Sequence, residues 1–415
     1  MSDKNSTSFL RLKLPIYCQT FIGVSHTVLA TSMSGLVRAY PEVSEGVLMY
    51  LFTITSLTAI IGSFTFSFLI TKYTKKNLAI AAMALGCISA LIFILFPGKL
   101  PLLFAASALA GFVGGCLATS FPLFVNYHFD ISERSKVMGT GIGMIQFGRL
   151  LIMFLAGFLA NIRWNFVYFV YVFMLITLLL NIFLLPQDEV PAKKNASDEG
   201  EESYQKRTLL LNTLKSPGAW QLSLVIIVFG FINFTAQSRL SLYVEGNSLG
   251  TSSMTGMITA IGCLFGGFVG VLFAHIYRFT SRRTFIIVFL FSGCGFVIPG
   301  LFISFGSILA GIILSTIGSV IFLPYLYLRL PKIVDAKAIP IFTAIIPTLM
   351  NIGSFISPAL MSALASFFIG NKPENIYLFS GILAFCVAAF LIITWKWNRY
   401  DNKESEITID TDTEH

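Results

Sequence analysis

The amino-acid sequence predicts an all-α membrane protein in which twelve transmembrane helices form two pseudo-symmetric six-helix bundles. Hydrophobic residues make up 55% of its 415 residues and charged residues only 12%, and the mean hydropathy is +0.80. Soluble globular domains usually contain about 25% charged residues. Apolar runs of about 20 residues, the length that crosses a bilayer as a helix, recur along the chain. A single charged stretch divides them into two sets of six.

The predicted spans follow from these apolar runs in chain order. They cover residues 14–37, 47–70, 78–96, 101–126, 137–160, 164–185, 219–243, 254–276, 284–303, 306–328, 340–368 and 376–397. The charged stretch after Pro186 lacks hydrophobic periodicity, which predicts a disordered linker. Two six-span halves about such a linker are typical of transporters built from internal repeats. We therefore expect an N-terminal bundle at 1–185, a cytoplasmic linker at 186–218, a C-terminal bundle at 219–397 and a disordered tail at 398–415.

Positive charge is distributed unequally between the two ends of the spans. Of the 28 Lys and Arg residues, only Arg38, Lys99, Arg163 and Lys372 lie in the odd-numbered loops, whereas most others lie near the termini, in the even-numbered loops or in the linker. The positive-inside rule then places both termini in the cytoplasm. We expect a multi-pass protein of a cell inner (plasma) membrane, whose partners are lipids and a small molecule and not nucleic acid, despite the net charge of +8.

The sequence gives no indication of enzymatic chemistry. The first run is too long for a signal-peptide core and has no convincing cleavage site. All six cysteines lie in or beside apolar runs, where thiols pack as small hydrophobic groups. We find no nucleophile motif, metal-ligand spacing or phosphate loop in a plausible context, and therefore expect neither an enzyme nor a bound cofactor or metal.

The first span is unusually polar. Gln19, His26 and several Ser and Thr residues follow one another along it, and polar groups in lipid need partners. One face should therefore line a cavity or another helix. For His26 two interpretations remain open: a neutral imidazole bonded to a neighbouring helix, or a substrate ligand or protonatable coupling group.

The loop after the second span resembles a signature of the major facilitator superfamily. That family carries Gly-x-x-x-Asp-Arg-x-Gly-Arg-Arg here, and this chain reads SFLITKYTKK at 67–76, in which Lys72, Lys75 and Lys76 match basic positions. Residues 126–139 similarly resemble the fourth-to-fifth loop of bacterial efflux-type members. The resemblance, which covers nearly the whole chain through topology, implies the superfamily fold, with the three lysines in a gating loop.

The second half contains a looser copy of the basic loop, YRFTSRR at 277–283. By the same resemblance, Arg278, Arg282 and Arg283 are expected to form the corresponding gating loop. A further packing signal is GFVGG at 111–115 in the fourth span, because closely spaced small residues let helix backbones approach.

The fifth span carries an arginine, Arg149, at its midpoint. Insertion scales put the cost of a guanidinium at the centre of a bilayer at roughly 2.5–3.5 kcal/mol. Arg149 is therefore expected to face a water-filled cavity, a partner or an anionic ligand, and Gln146 lies one turn before it on the same helix.

Polar residues in the second half complete the predicted substrate site. Arg239 lies about two turns before Glu245, so the sequence allows either a pair with Glu245 at the membrane surface or a place in the cavity. The other candidates are the polar side chains of spans seven, ten and eleven. They are Asn233, Gln237, Tyr325 and Asn351.

These residues favour transport of an organic anion. None of the 20 Asp and Glu residues lies convincingly at mid-depth, whereas capture of lipophilic cations usually needs a buried carboxylate. A buried guanidinium surrounded by aromatic rings suits an amphipathic or aromatic anion. We expect a monomeric secondary transporter that works by alternating access, through anion exchange or proton symport. The alternatives are multidrug or metabolite efflux by proton antiport and, less compatible with the short linker and tail, a non-transporting receptor.

Overall fold

The computed structural model describes residues 12–70, 72–187, 217–280, 283–333 and 339–394. Its helices include twelve that are long and apolar enough to cross a membrane, which confirms the predicted number. Those of the first half are α1 (Leu14–Ala39), α2 (Glu45–Leu69), α3 (Lys75–Leu95), α4 (Leu100–His128), α5 (Ile131–Ile162) and α6 (Trp164–Leu184). Those of the second half are α7 (Pro217–Gly246), α8 (Ser252–Thr280), α9 (Thr284–Leu301), α10 (Phe305–Ile333), α11 (Ile339–Phe368) and α12 (Pro373–Thr394). Nearly all of the predicted linker and the whole predicted tail lie outside the described residues.

Each half has its own hydrophobic core. The larger cluster of the first half is built from α1 to α6, and that of the second half from α7 to α12. Leu242 of α7 belongs to the first cluster, so the two cores meet. Across the interface α5 packs on α8 and α2 on α11. An even number of spans places Leu14 and Thr394 at the same end, here called the terminal side, and the opposite end is called the far side.

Helix α1 is not continuous. It consists of α-helix at Leu14–Ile22, a 3₁₀ segment at Ser25–Ser32 and α-helix at Met33–Ala39. Within and before the 3₁₀ segment, hydroxyl groups donate to the carbonyl three residues earlier, as Thr27 does to Val24 and Thr31 to Val28, both at 2.8 Å. Such side-chain bonds compete with the α-helical ladder. The polar sequence of the first span therefore breaks its helix, and His26 lies in the break.

The loop predicted over 126–139 is shorter than expected. Helix α4 continues to His128, and α5 already begins at Ile131. Glu133 lies in the first turn of α5, where a negative charge interacts favourably with the helix dipole. This part of the chain contains charged residues and yet forms helix, because the charges lie at a helix start outside the apolar span.

The GFVGG segment lets α4 contact α2 through backbone atoms. A Cβ added to Gly115 would overlap the carbonyl of Ala59, and one added to Gly111 would overlap that of Thr55. The predicted close approach is confirmed.

Replacing Gly115 with alanine is expected to destabilise the protein by about 1–3 kcal/mol, because an overpacked core must shift helices apart. The measurement is the apparent Tm of the purified protein in detergent. Gly267→Ala is the matched control in helix α8, since a Cβ there meets nothing within 4 Å. Equal Tm values for the two variants would contradict the prediction.

Candidate functional site

Arg149 lies near the middle of α5, at the interface between the two halves. It is 18 residues after Ile131 and 13 residues before Ile162, which corresponds to about 20 Å of helix on the far side. Its side chain is partly buried. Its charge acts electrostatically on His26 of α1 and on Cys263 of α8. The guanidinium therefore lies among helices of both halves, as a central site requires.

Gln146 lies one turn before Arg149 and is directed toward α8. Its amide Nε2 is 3.6 Å from the point that a Cβ on Gly266 would occupy. Because Gly266 has no side chain, the amide fits against that helix. Gln146 and Arg149 thus present a polar surface of α5 to the second half.

His26 contributes a proton-binding atom to this group. Its Nδ1 lies 3.0 Å from the carbonyl oxygen of Gly23. A carbonyl only accepts hydrogen bonds, so Nδ1 carries the proton of the neutral ring and Nε2 is left as the acceptor. The ring packs against Gly114 of α4, where an added Cβ would lie 2.8 Å from Nδ1. The imidazole is therefore hydrogen-bonded within its own helix, α1, and not to a neighbouring helix as the first interpretation expected. Its Nε2 remains available to bind a proton or a substrate, as the second interpretation requires.

Arg239 has a different environment from Arg149. Its guanidinium is almost completely buried, forms an ion pair with Glu45 of α2, and donates to the hydroxyl of Ser362 on α11. The pairing of Arg239 with Glu245 that the sequence allowed is not formed. Glu245 instead pairs with Arg38 of α1, at 2.6 Å.

These two ion pairs join the halves at the far side. Each half supplies one arginine and one glutamate, so the pairs Arg38–Glu245 and Glu45–Arg239 cross the interface in opposite senses. We call these two ion pairs the far-side latch. The sequence alone did not indicate this role for Arg38 or Glu45. Their spacing of seven residues resembles the six between Arg239 and Glu245 in the corresponding part of the second half.

Further contacts between the halves accompany the latch. The hydroxyls of Ser34 and Ser241 are 2.8 Å apart, and the rings of Phe52 and Phe234 stack with centroids 4.8 Å apart. Phe52 follows Glu45 by seven residues, which is about 10 Å along α2 toward the centre. The far side is thus closed by an ionic layer with an aromatic layer beneath it.

The remaining predicted binding residues are dispersed over the second half. Asn233 accepts a hydrogen bond from Ser319 of α10 at 3.0 Å, Gln237 is exposed, and Asn351 is partly buried in α11. Tyr325 is fully buried against aromatic rings, including Phe285 at a centroid distance of 4.6 Å. The structure therefore groups Arg149 with His26 electrostatically and with Gln146 on one helix, and it separates Arg239 and Tyr325 from them.

The lysines of the first basic loop contact their own half. The ammonium of Lys72 lies 4.9 Å from the ring centre of Phe68, and that of Lys75 lies 3.6 Å from the ring centre of Tyr127. Lys76 donates to the carbonyls of Ile182 and Leu185, at 3.0 and 2.5 Å, and so caps the end of α6.

In the second basic loop, Arg283 is exposed before α9, whereas the side chains of Arg278 and Arg282 lie outside the described part of the chain.

Twelve spanning helices in two halves, with a polar centre and an interface closed at one end, are the architecture of a secondary transporter. A family model described as Major Facilitator Superfamily matches residues 16–328, and the chain belongs to this superfamily. It is a multi-pass membrane protein whose family role is transport. No curated protein matches the chain in sequence.

Solved structures of transporters share this fold. A POT family transporter in complex with 5-aminolevulinic acid has a TM-score of 0.72 at 12% identity, and the match covers 92% of this chain and 95% of that one. A second, in complex with a thioalcohol-conjugated peptide, has a TM-score of 0.71 at 12% identity with the same coverage. A D-xylose-proton symporter has a TM-score of 0.68 at 16% identity, covering 90% and 95% of the two chains. At these identities the likeness shows the fold alone.

Proposed function

We propose that the protein transports a small amphipathic or aromatic organic anion by alternating access, and that Arg149 binds the anionic group. The observation that carries this proposal is the contrast between the two arginines within the spans. Arg239 has a carboxylate and a hydroxyl as partners. Within the described part of the chain, Arg149 has neither an ion pair nor a hydrogen bond. A guanidinium at mid-depth without a protein partner favours a ligand that supplies one.

The positions of several carboxylates support an anion over a cation. Glu45 and Glu245 are engaged by arginines in the far-side latch, and Glu133 lies 3.5 Å from Lys13 on the terminal side. None of these three acids lies at the depth of Arg149. The centre therefore has positive charge, which attracts carboxylate, sulfonate or phosphate groups.

Aromatic residues at the interface between the two halves support an amphipathic substrate. Besides the stacked Phe52 and Phe234, Tyr50 of α2 and Phe355 of α11 meet across the interface with centroids 6.3 Å apart. Both pairs lie between the latch and the middle of the spans. Rings at this position suit the apolar body of an anion whose charged group binds deeper.

Alternating access accounts for the closed far side. With both termini in the cytoplasm, as the charge distribution predicts, the far side is the outer side, and opening toward it requires that both latch pairs break. The coupling we propose is anion exchange or proton symport. In the second case Nε2 of His26 carries the proton, because Nδ1 is already bonded to the carbonyl of Gly23.

A thermal-shift screen of the detergent-purified protein tests the substrate class. We expect aromatic carboxylates such as benzoate to raise the apparent Tm, whereas tetraphenylphosphonium and glucose leave it unchanged. A ligand at a hundredfold excess over its Kd stabilises the folded state by about 2.7 kcal/mol, which the measurement resolves. Stabilisation by the lipophilic cation and not by anions would contradict the proposal and favour multidrug efflux.

A further inference from the structure

A polar cavity opens at the far side, away from Arg149. Its volume is about 550 Å³, within the range of roughly 300–1,000 Å³ that small-molecule sites occupy. Both halves form its wall: α1 and α5 from the first, the end of α7 and the start of α8 from the second. The polar side chains in the wall are Arg38, Asn161, Glu245, Ser248, Thr251 and Ser252.

The accessible charge in this cavity is positive. The side chain of Arg38 is 71% exposed, whereas that of Glu245 is only 9% exposed. Both oxygens of Glu245 are already engaged: Oε2 lies 2.6 Å from Nη2 of Arg38, and Oε1 accepts from the hydroxyl of Ser252 at 2.6 Å. A guanidinium has five N–H donors, so Arg38 keeps donors for another acceptor.

The rest of the wall also favours an anion. Helix α8, with 29 residues, begins at Ser252 and directs the positive end of its dipole toward the cavity. Asn161 is already oriented by this helix start, because its Oδ1 accepts from the backbone N–H of Ser253 at 3.2 Å. Its amide nitrogen and the hydroxyl of Ser248 remain as further donors.

We propose that this cavity is a second anion site, which binds a carboxylate, sulfonate or phosphate group through Arg38. The bound anion competes with Glu245 for the guanidinium and so weakens one ion pair of the far-side latch. Binding there does not depend on Arg149. Its link to gating rests on the proposed function, because the arrival of an anion at the far side would promote opening toward that side.

The test is equilibrium binding of radiolabelled benzoate to the full-length protein in nanodiscs of zwitterionic phosphatidylcholine. We expect two benzoate molecules per wild-type chain, one for Arg149→Gln and one for Arg38→Gln. In the Arg149→Gln background, Glu245→Gln should raise the affinity of the remaining site for benzoate three- to tenfold. Arg38→Gln should lower that affinity at least tenfold, and Arg38→Lys should lower it less. Lys372→Gln, which removes an exposed far-side charge outside the cavity, is the control and should have no effect.

Arg38→Gln and Glu245→Gln should change benzoate affinity in opposite directions if Arg38 binds the anion. A purely structural ion pair would not produce opposite changes. If Arg38→Gln and Glu245→Gln change affinity in the same direction, or if Arg38→Gln leaves the stoichiometry unchanged, the second site is refuted. If only the proposed central site at Arg149 is wrong, the wild type binds one benzoate per chain. The Arg149→Gln variant then still binds one, and the Arg38→Gln variant binds none. Competition by added phosphatidylglycerol would support the anion site and identify a lipid phosphate as its occupant in place of a soluble carboxylate.

Discussion

Replacing Arg149 with glutamine is expected to lower substrate affinity and transport at least a hundredfold. Hydrogen bonds to charged groups contribute about 1.5–3 kcal/mol each, and an arginine can form two with one carboxylate. Losing both amounts to about 3 kcal/mol, which is roughly a hundredfold. The measurement is uptake of the identified anion into proteoliposomes, together with its Kd.

Two further variants distinguish charge from general damage. Arg149→Lys keeps the charge without the planar fork, so we expect an intermediate loss of about tenfold. Arg163→Gln removes an exposed arginine just beyond the end of the same helix and should transport as the wild type does. Transport by Arg149→Gln at the wild-type rate and affinity would refute the anion site.

Replacing Glu45 with glutamine is expected to shift the protein toward a far-side-open conformation. The change leaves the guanidinium of Arg239, which is 2% exposed, without its carboxylate. Breaking a buried ion pair from one side costs about 3–5 kcal/mol, and because the Glu45 side chain is 40% exposed we discount this to about 2 kcal/mol. That free energy corresponds to roughly a thirtyfold shift of the conformational equilibrium.

Distances between spin labels report this shift. Gly46 and Gly246 are exposed at the far side, on opposite halves, and a side chain at either position meets nothing within 4 Å. In a variant without the six native cysteines, labels at these two positions should show a longer distance population when Glu45 is changed. Glu42→Gln, an exposed charge removed from the same region, is the control.

A double substitution tests whether the shift toward the far-side-open conformation comes from breaking the Glu45–Arg239 ion pair. If the unpaired guanidinium drives opening, Arg239→Gln combined with Glu45→Gln should restore part of the short-distance population, because residues in contact do not behave additively. An unchanged distance distribution in Glu45→Gln would show that this ion pair does not hold the far side closed.

The sequence predicted the environment of one intramembrane arginine and not that of the other. For Arg149, the cost of a charge in the bilayer and the lack of a nearby acid along the helix were enough to predict a special environment, and the structure places it at the interface. For Arg239, the neighbouring Glu245 suggested a local partner. The actual partner, Glu45, is 194 residues away along the chain, and no local pattern identifies a contact at that separation.

The sequence by itself determined the number of spans and their division into two halves. Those features depend on segment length and hydropathy, because the bilayer acts on each helix separately. Tertiary structure alone decided which helix faces meet, and therefore that Arg239 belongs to a latch, that Tyr325 is buried in an aromatic cluster, and that His26 lies near Arg149. The physical reason is that helix rotation depends on packing between distant segments, such as the glycine contacts of α4 with α2, and these energies arise only when the helices assemble.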